Sequence, residues 1–144
     1  MTNLERLRAG MEEEGPRSGW RDTVGARIAS VEEGRGVVEL ETHAGHRHEG
    51  GVVQGGIIAQ IADAAMAISL MTLQAPGESN ATIELKINYI RPVVEGLIRA
   101  TGRVIEMKRS LLFAEADVTD AEGRLVARAS STCMAIAARR DWRQ

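Results

Sequence analysis

Apolar positions along the chain fall into one long block of helical spacing, with runs of strict alternation on either side of it. Near the N-terminus, Leu4, Leu7 and Met11 recur every three or four residues with charges between them. That spacing predicts a short amphipathic helix over residues 3–14, capped by Thr2 or Asn3 and stopped by Gly15-Pro16. Residues 24–31 and 37–42 read as two strands joined at Glu33-Gly34-Arg35-Gly36. In the second, Val38 and Leu40 alternate with Val37, Glu39 and Glu41, so one face meets a core. A polar, glycine-rich loop over 43–51 leads to a helix over about 55–73. Its apolar residues (among them Ile57, Ile61, Ala65, Met66, Ile68 and Leu70) fall on every side, which predicts burial all round. After Ala75-Pro76-Gly77-Glu78 come four strands. The first, 81–90, sets Ile83, Leu85, Ile87 and Tyr89 against Thr82, Glu84, Lys86 and Asn88. Pro92 ends it, and 97–107, 111–119 and 125–136 follow, the last two joined by Asp120-Ala121-Glu122-Gly123.

This order predicts an α+β domain over residues 21–137, an antiparallel sheet wrapped around one long central helix. Residues 1–20 form a helix and lead-in, and 138–144 a charged tail. One helix cannot cover the whole open face of such a sheet, so self-association is expected to bury the remainder.

The 144 residues, 44% apolar and 26% charged, are those of one ordinary globular domain. Aromatics make up only 3%, so Val, Ile, Leu, Ala and Met build the core. A net charge of −2 without a basic stripe argues against a nucleic-acid partner. The charged first residues lack the apolar run of a secretory leader, and polar residues interrupt the longest apolar segment, so no membrane association and a cytoplasmic location are expected. One cysteine, Cys133, excludes an intrachain disulfide and reads as a small buried strand residue.

The candidate chemistry lies in Gly50-Gly51-Val52-Val53-Gln54-Gly55-Gly56, which opens the long helix, and in Asp63 nine residues after Gln54. Glycines let backbone N–H groups approach a ligand, and a helix N-terminus favours negative charge. A carboxylate in apolar surroundings has either a job or a partner. Together they outline acyl transfer: an oxyanion donor with a base or nucleophile. The structural alternatives are a buried arginine or hydroxyl partner for Asp63, a capping role for Gln54 and a solvated loop for His48. His43, His46 and His48 are too loosely spaced, with no completing ligand, to predict a metal site.

These motifs, with Ile87-Asn88-Tyr89-Ile90-Arg91-Pro92, Gly96 and the closing 117–127 segment, resemble the hotdog-fold acyl-CoA thioesterases of the phenylacetate-pathway type. The resemblance runs from about residue 24 to 136. The family pattern is Asn, two residues, Gly, two residues, His-Gly-Gly. Gly51, Gly55 and Gly56 match it, while His48 stands at the Asn position and Gln54 at the His position. The resemblance implies that the Gly55 N–H meets the thioester carbonyl and that Asp63 acts as nucleophile or general base. It further implies that Thr82 helps hold the attacking water, and that the site is shared between subunits of a homodimer or homotetramer.

The substrate would be an acyl-CoA, whose coenzyme A is part of the substrate; no separate cofactor is expected. Gly56 and Met66 would contact the acyl part, and Arg91 or the Lys108-Arg109-Ser110 turn the nucleotide. Two competing functions are a hotdog hydratase or dehydratase pairing His48 with Asp63, and a non-catalytic acyl-CoA binding module.

Overall fold

The computed structural model describes residues 1–13 and 19–137; the predicted stop at Gly15-Pro16 and the tail at 138–144 lie outside the described residues. Helix α1 (Asn3–Glu12) starts at a capping box. The Thr2 hydroxyl accepts from the Glu5 N–H at 3.1 Å, and the Glu5 carboxylate accepts from the Thr2 N–H at 2.6 Å. Two otherwise orphaned amides are thereby satisfied. Asn3 fastens this helix to a distant loop: its amide donates to the Ala75 and Glu78 carbonyls, and its own carbonyl accepts from Gly77. A five-residue helix, α2 (Trp20–Val24), ends at Gly25. It takes Val24 out of the first predicted strand.

Strand β1 (Ala26–Glu32) and β2 (Arg35–Thr42) form a hairpin, and α3 (Gly55–Met71) follows the loop. Then come β3 (Ser79–Tyr89), β4 (Gly96–Met107), β5 (Leu111–Thr119) and β6 (Leu125–Ile136). The six strands form one sheet in the order β1-β2-β4-β5-β6-β3, every neighbouring pair antiparallel. Helix α3 lies across its concave face, chiefly over β2, β4 and β5. This is the hotdog arrangement. The core lies between them, with Leu40, Ile61, Met66, Leu70, Ile98 and Leu112 fully buried. No described helix is long and apolar enough to cross a membrane.

The helix reaches the sheet through two glycines. Gly36 of β2 and Gly102 of β4 are register partners on the concave face. A Cβ on Gly102 would stand 2.2 Å from the Ala65 carbonyl oxygen, and one on Gly36 would stand 2.7 Å from a methyl of Ile68. The bare backbone of two neighbouring strands therefore forms the seat of α3. At its C-terminal end, the Thr72 hydroxyl donates to the Ser69 carbonyl at 2.6 Å and accepts from the Gly34 N–H at 2.8 Å. That ties the helix to the β1–β2 turn.

Two sequence expectations change. Helix α3 is not buried all round: Gly56, Ala59, Gln60, Asp63 and Ala67 keep a partly open stripe beside edge strand β3. Glu39, placed by alternation on the polar face, has a side chain only 4% exposed. Arg27 and Arg99, on the strands at either side, both pair with its carboxylate, Arg99 at 2.6 Å. Long, half-exposed guanidinium side chains cover an acid that strand parity alone assigns to solvent. Farther along the convex face, Arg103 bridges Glu115 and Asp117, and Arg128 also pairs with Asp117.

Gly102→Val is expected to lower stability by about 3 kcal/mol or more, because the new methyls would meet helix backbone that cannot step aside. Chemical denaturation of the parent and the variant checks this. A second outcome concerns acid. The Arg128 guanidinium, hydrogen-bonded to Asp117 at 2.7 Å, holds that carboxyl below its ordinary range, with burial opposing and Arg103 adding to the effect. A depressed folded-state value means that the unfolded chain takes up the proton first, so this stabilisation is present at neutral pH and is lost on acidification. Asp117→Asn should be less stable than the parent at pH 7 by up to about 1 kcal/mol, with the gap closing below about pH 4. Melting curves across pH measure it.

Candidate active site

The N-terminus of α3 is held from several sides. His46 is buried in a short 3-10 turn (Ala44–His46), where its Nδ1 accepts from the His43 N–H at 3.1 Å. The ring proton therefore sits on Nε2, which donates to the Val24 carbonyl at 2.7 Å. The Gln54 N–H donates to the His46 carbonyl, and the Val53 N–H to Val93 on the β3–β4 connection. Gln54 is the N-cap, its Oε1 accepting from the Ile57 N–H at 3.3 Å. In this first turn the N–H groups of Gly55 and Gly56 have no helix carbonyl behind them. They carry the positive end of a seventeen-residue helix dipole.

Tyr89, at the end of β3, lies against Gly55. Its hydroxyl donates to the Gly55 carbonyl at 2.7 Å, and a Cβ on residue 55 would stand 3.0 Å from its ring. Burial raises the phenol above its ordinary value, so Tyr89 remains a neutral donor. The Gly55 carbonyl and the Gly56 N–H belong to one peptide unit, and a bond to the first polarises the second. Gly55, Ile58, Tyr89 and Arg91, with Val52, Val53, Ile90 and Pro92, line a cleft of about 300 Å³.

Asp63 lies two turns farther along α3, in a second and shallower concavity of about 250 Å³ lined by Ala59, Gln60, Thr82 and Leu85. The Thr82 hydroxyl donates to Asp63 Oδ1 at 2.7 Å. Among the described residues no cation pairs with Asp63. Of the structural alternatives weighed for this carboxylate, the hydroxyl partner is present and the arginine is absent.

The contact between Thr82 and Asp63 depends on an irregularity. Simple alternation sets Thr82 with Glu84, Lys86 and Asn88, and Ile83 with Leu85, Ile87 and Tyr89. In the structure Thr82 pairs with Cys133 and Glu84 with Thr132, so Ile83 is a β-bulge. Parity reverses there. Thr82 joins Leu85 and Ile87 on the helix side, and Ile83 is left 57% exposed.

The other predicted residues are distributed as follows. His48 is exposed, its Nδ1 accepting from the Gly50 N–H at 2.8 Å, and it borders neither concavity. Met66 is fully buried where α3 meets the sheet and also borders neither. Arg91 lines the Gly55 cleft. The exposed Lys108-Arg109-Ser110 turn lies at the Asp63 end of the sheet, since Leu112 of β5 shares a row with Cys133 and Thr82. Sequence reading missed Tyr89 and Cys133 as neighbours of the site. The signal available for Tyr89 was its being the chain's single tyrosine, next to the Ile90-Arg91-Pro92 stop. Among the described residues no three His, Cys, Asp or Glu side chains gather to hold a metal ion.

Residues 50–127, from the glycine loop through β5 into β6, match the thioesterase superfamily. The 1,4-dihydroxy-2-naphthoyl-CoA hydrolase of Listeria monocytogenes is 30% identical over 108 residues, covering 75% of this chain and 88% of the relative. A Saccharolobus solfataricus protein that carries an esterase name is 31% identical over 103 residues, 72% of this chain and 73% of its own. A conserved protein of Pseudomonas aeruginosa with a solved structure shares the fold at a TM-score of 0.79 and 32% identity, covering 83% of this chain and 95% of its own. The match takes in the loop, the helix and the strands that carry both concavities, and the chain belongs to the thioesterase superfamily, as a thioester hydrolase.

Proposed function

We propose that the protein is an acyl-CoA thioesterase in which a first-turn amide of α3 stabilises the oxyanion and Asp63 drives the attack. The observation that carries this reading is the state of Asp63. One carboxylate oxygen is held by Thr82, the other has no partner among the described contacts, and Asp63 lines an open concavity. An anchored carboxylate without a neutralising cation suits a nucleophile or a base.

As a base, Asp63 takes a proton from a water that adds to the thioester carbonyl. The carbonyl oxygen becomes an oxyanion held by the backbone N–H of Gly55, with Gly56 beside it. Collapse breaks the C–S bond and releases the CoA thiolate, which takes up a proton. As a nucleophile, Asp63 forms a mixed anhydride with loss of the thiolate, and water then cleaves it. One preorganised amide contributes on the order of 3 kcal/mol to such a step. No cofactor is needed beyond the coenzyme A of the substrate.

The two halves of the machinery belong to different copies of the chain. Eight residues of helix separate Gly55 from Asp63, roughly 12 Å along the axis. No single carbonyl reaches both. A homodimer, or a tetramer built of such dimers, that sets Gly55 of one chain near Asp63 of the other removes the difficulty. The open stripe of α3 and edge strand β3 offer the surface for it. Arg91 of the first chain and the Lys108-Arg109-Ser110 turn of the second then flank one thioester, as cations for the CoA phosphates. A hydratase would need His48 opposite Asp63, yet its ring is folded onto Gly50.

Asp63→Asn is expected to lower kcat for thiol release from a panel of short, medium and aromatic acyl-CoAs by about 10²-fold or more. Tight acyl-CoA binding without turnover in the parent protein would instead establish a binding module. The shared site has its own check. Asp63→Asn and Gly55→Pro, each inactive alone, are unfolded and refolded together. Proline suits a first helical position but has no N–H. Random pairing should restore about a quarter of parental activity, since half the dimers carry one intact site of two. A site contained within one chain restores none.

A further inference from the structure

The chain's one cysteine has no part in the reaction described so far. Cys133 of β6 is fully buried, and its Sγ lies 3.6 Å from Thr82 Oγ1 and 3.8 Å from Ser131 Oγ. Counting protons fixes the direction of these contacts. A threonine hydroxyl has one proton, and Thr82 donates it to Asp63 at 2.7 Å. The Thr82 oxygen is then an acceptor only, so the Cys133 S–H donates to it. The thiol proton being committed, the Ser131 hydroxyl donates to the sulfur. Ser131, Cys133 and Thr82 thus form a row in which every donor faces the carboxylate.

We propose that Cys133 is a positioning residue that acts on Asp63 through Thr82. The proposal rests on the reading of Asp63 as the attacking group or base. Three features make the thiol matter. Thr82 is the last regularly paired residue before the Ile83 bulge, so regular ladder pairing supports it on one side only. On the side away from Asp63 it meets Cys133, which is fully buried, so a donor lost from that position is not replaced by water. Successive bonds in a row polarise one another, so the S–H strengthens the bond from Thr82 to Asp63. The thiol is no nucleophile here: it is closed to solvent, and its described polar contacts are two hydroxyls.

The test compares Cys133→Ala, which removes the donor, with Cys133→Ser, which keeps one, by acyl-CoA turnover and thermal melting. Cys133→Ala should lower kcat about five- to tenfold with KM within about twofold, and Cys133→Ser should keep kcat within about twofold. Cys133→Ser should melt no higher than Cys133→Ala, because it buries a more polar group, so activity and stability fall in different orders. In a Thr82→Val background, Cys133→Ala should cause no further loss of kcat. Parental kcat in Cys133→Ala overturns the proposal. So do losses that follow melting temperature in both variants, or losses that multiply in the Thr82→Val background. Asp63→Asn measured alongside separates the two ideas. If Asp63→Asn still turns over, the catalytic reading falls and this proposal with it. If Asp63→Asn is dead and Cys133→Ala matches the parent, only the role of Cys133 falls.

Discussion

The close seating of α3 on Gly36 and Gly102 is the constraint on which the other geometry rests. Hydrogen-bond register sets the two glycines side by side on neighbouring strands, and the Ala65 carbonyl occupies the space that side chains there would fill. Interiors are packed too tightly to absorb such a contact by small adjustments. The helix therefore has one height and one line across the sheet. Asp63 lies half a turn before Ala65, so its position follows from the same contact. The bonds from Thr72 to Ser69 and Gly34 hold the far end of the helix. The His46 turn and its links to Val24 and Gln54 hold the near end.

With its axis fixed, α3 leaves a seam of small residues against β3, and both concavities open along it. A sheet edge and a partly open helix stripe are ordinarily liabilities. Here they run beside the contact between Thr82 and Asp63. The amide end and the carboxylate end of the helix are too far apart to meet within one chain. The proposed reaction therefore calls on the surface left uncovered to bring the two ends together between copies of the chain. Tyr89 and Thr82 have matching duties at the two ends of one strand. One steadies the first peptide of the helix, the other steadies the carboxylate.

The convex face follows a different rule. Among the described residues no second layer covers it, and arginines lie over acids: Arg27 and Arg99 on Glu39, Arg103 and Arg128 on Asp117. Their hydrocarbon stems shield the sheet while their heads stay in water. Glu39 is consequently far more enclosed than its place in an alternating strand suggests.

Much of this was legible in the chain. The apolar block of 55–73 and the alternating runs after it specify a long helix and an antiparallel sheet, because side-chain periods of 3.6 and 2 are set by backbone geometry alone. The glycine loop and Asp63 were visible as chemistry because few other patterns call for bare backbone before an apolar helix with a single acid. Short-range signals failed where the structure is short or irregular. Five residues of α2 carry no periodicity. The Ile83 bulge inverts the parity that had sent Thr82 outward. Met66 and His48 have site-like chemistry, but packing puts one in the core and loop bonding turns the other onto Gly50. Which residue faces which depends on register and on the approach of segments dozens of positions apart. The sequence by itself determined the elements, the reactive groups and, through the fixed rise of a helix, the spacing of Gly55 and Asp63 along α3. Only the tertiary structure decided that Thr82 meets Asp63 and that Tyr89 covers Gly55, because those are distances through space and not along the chain.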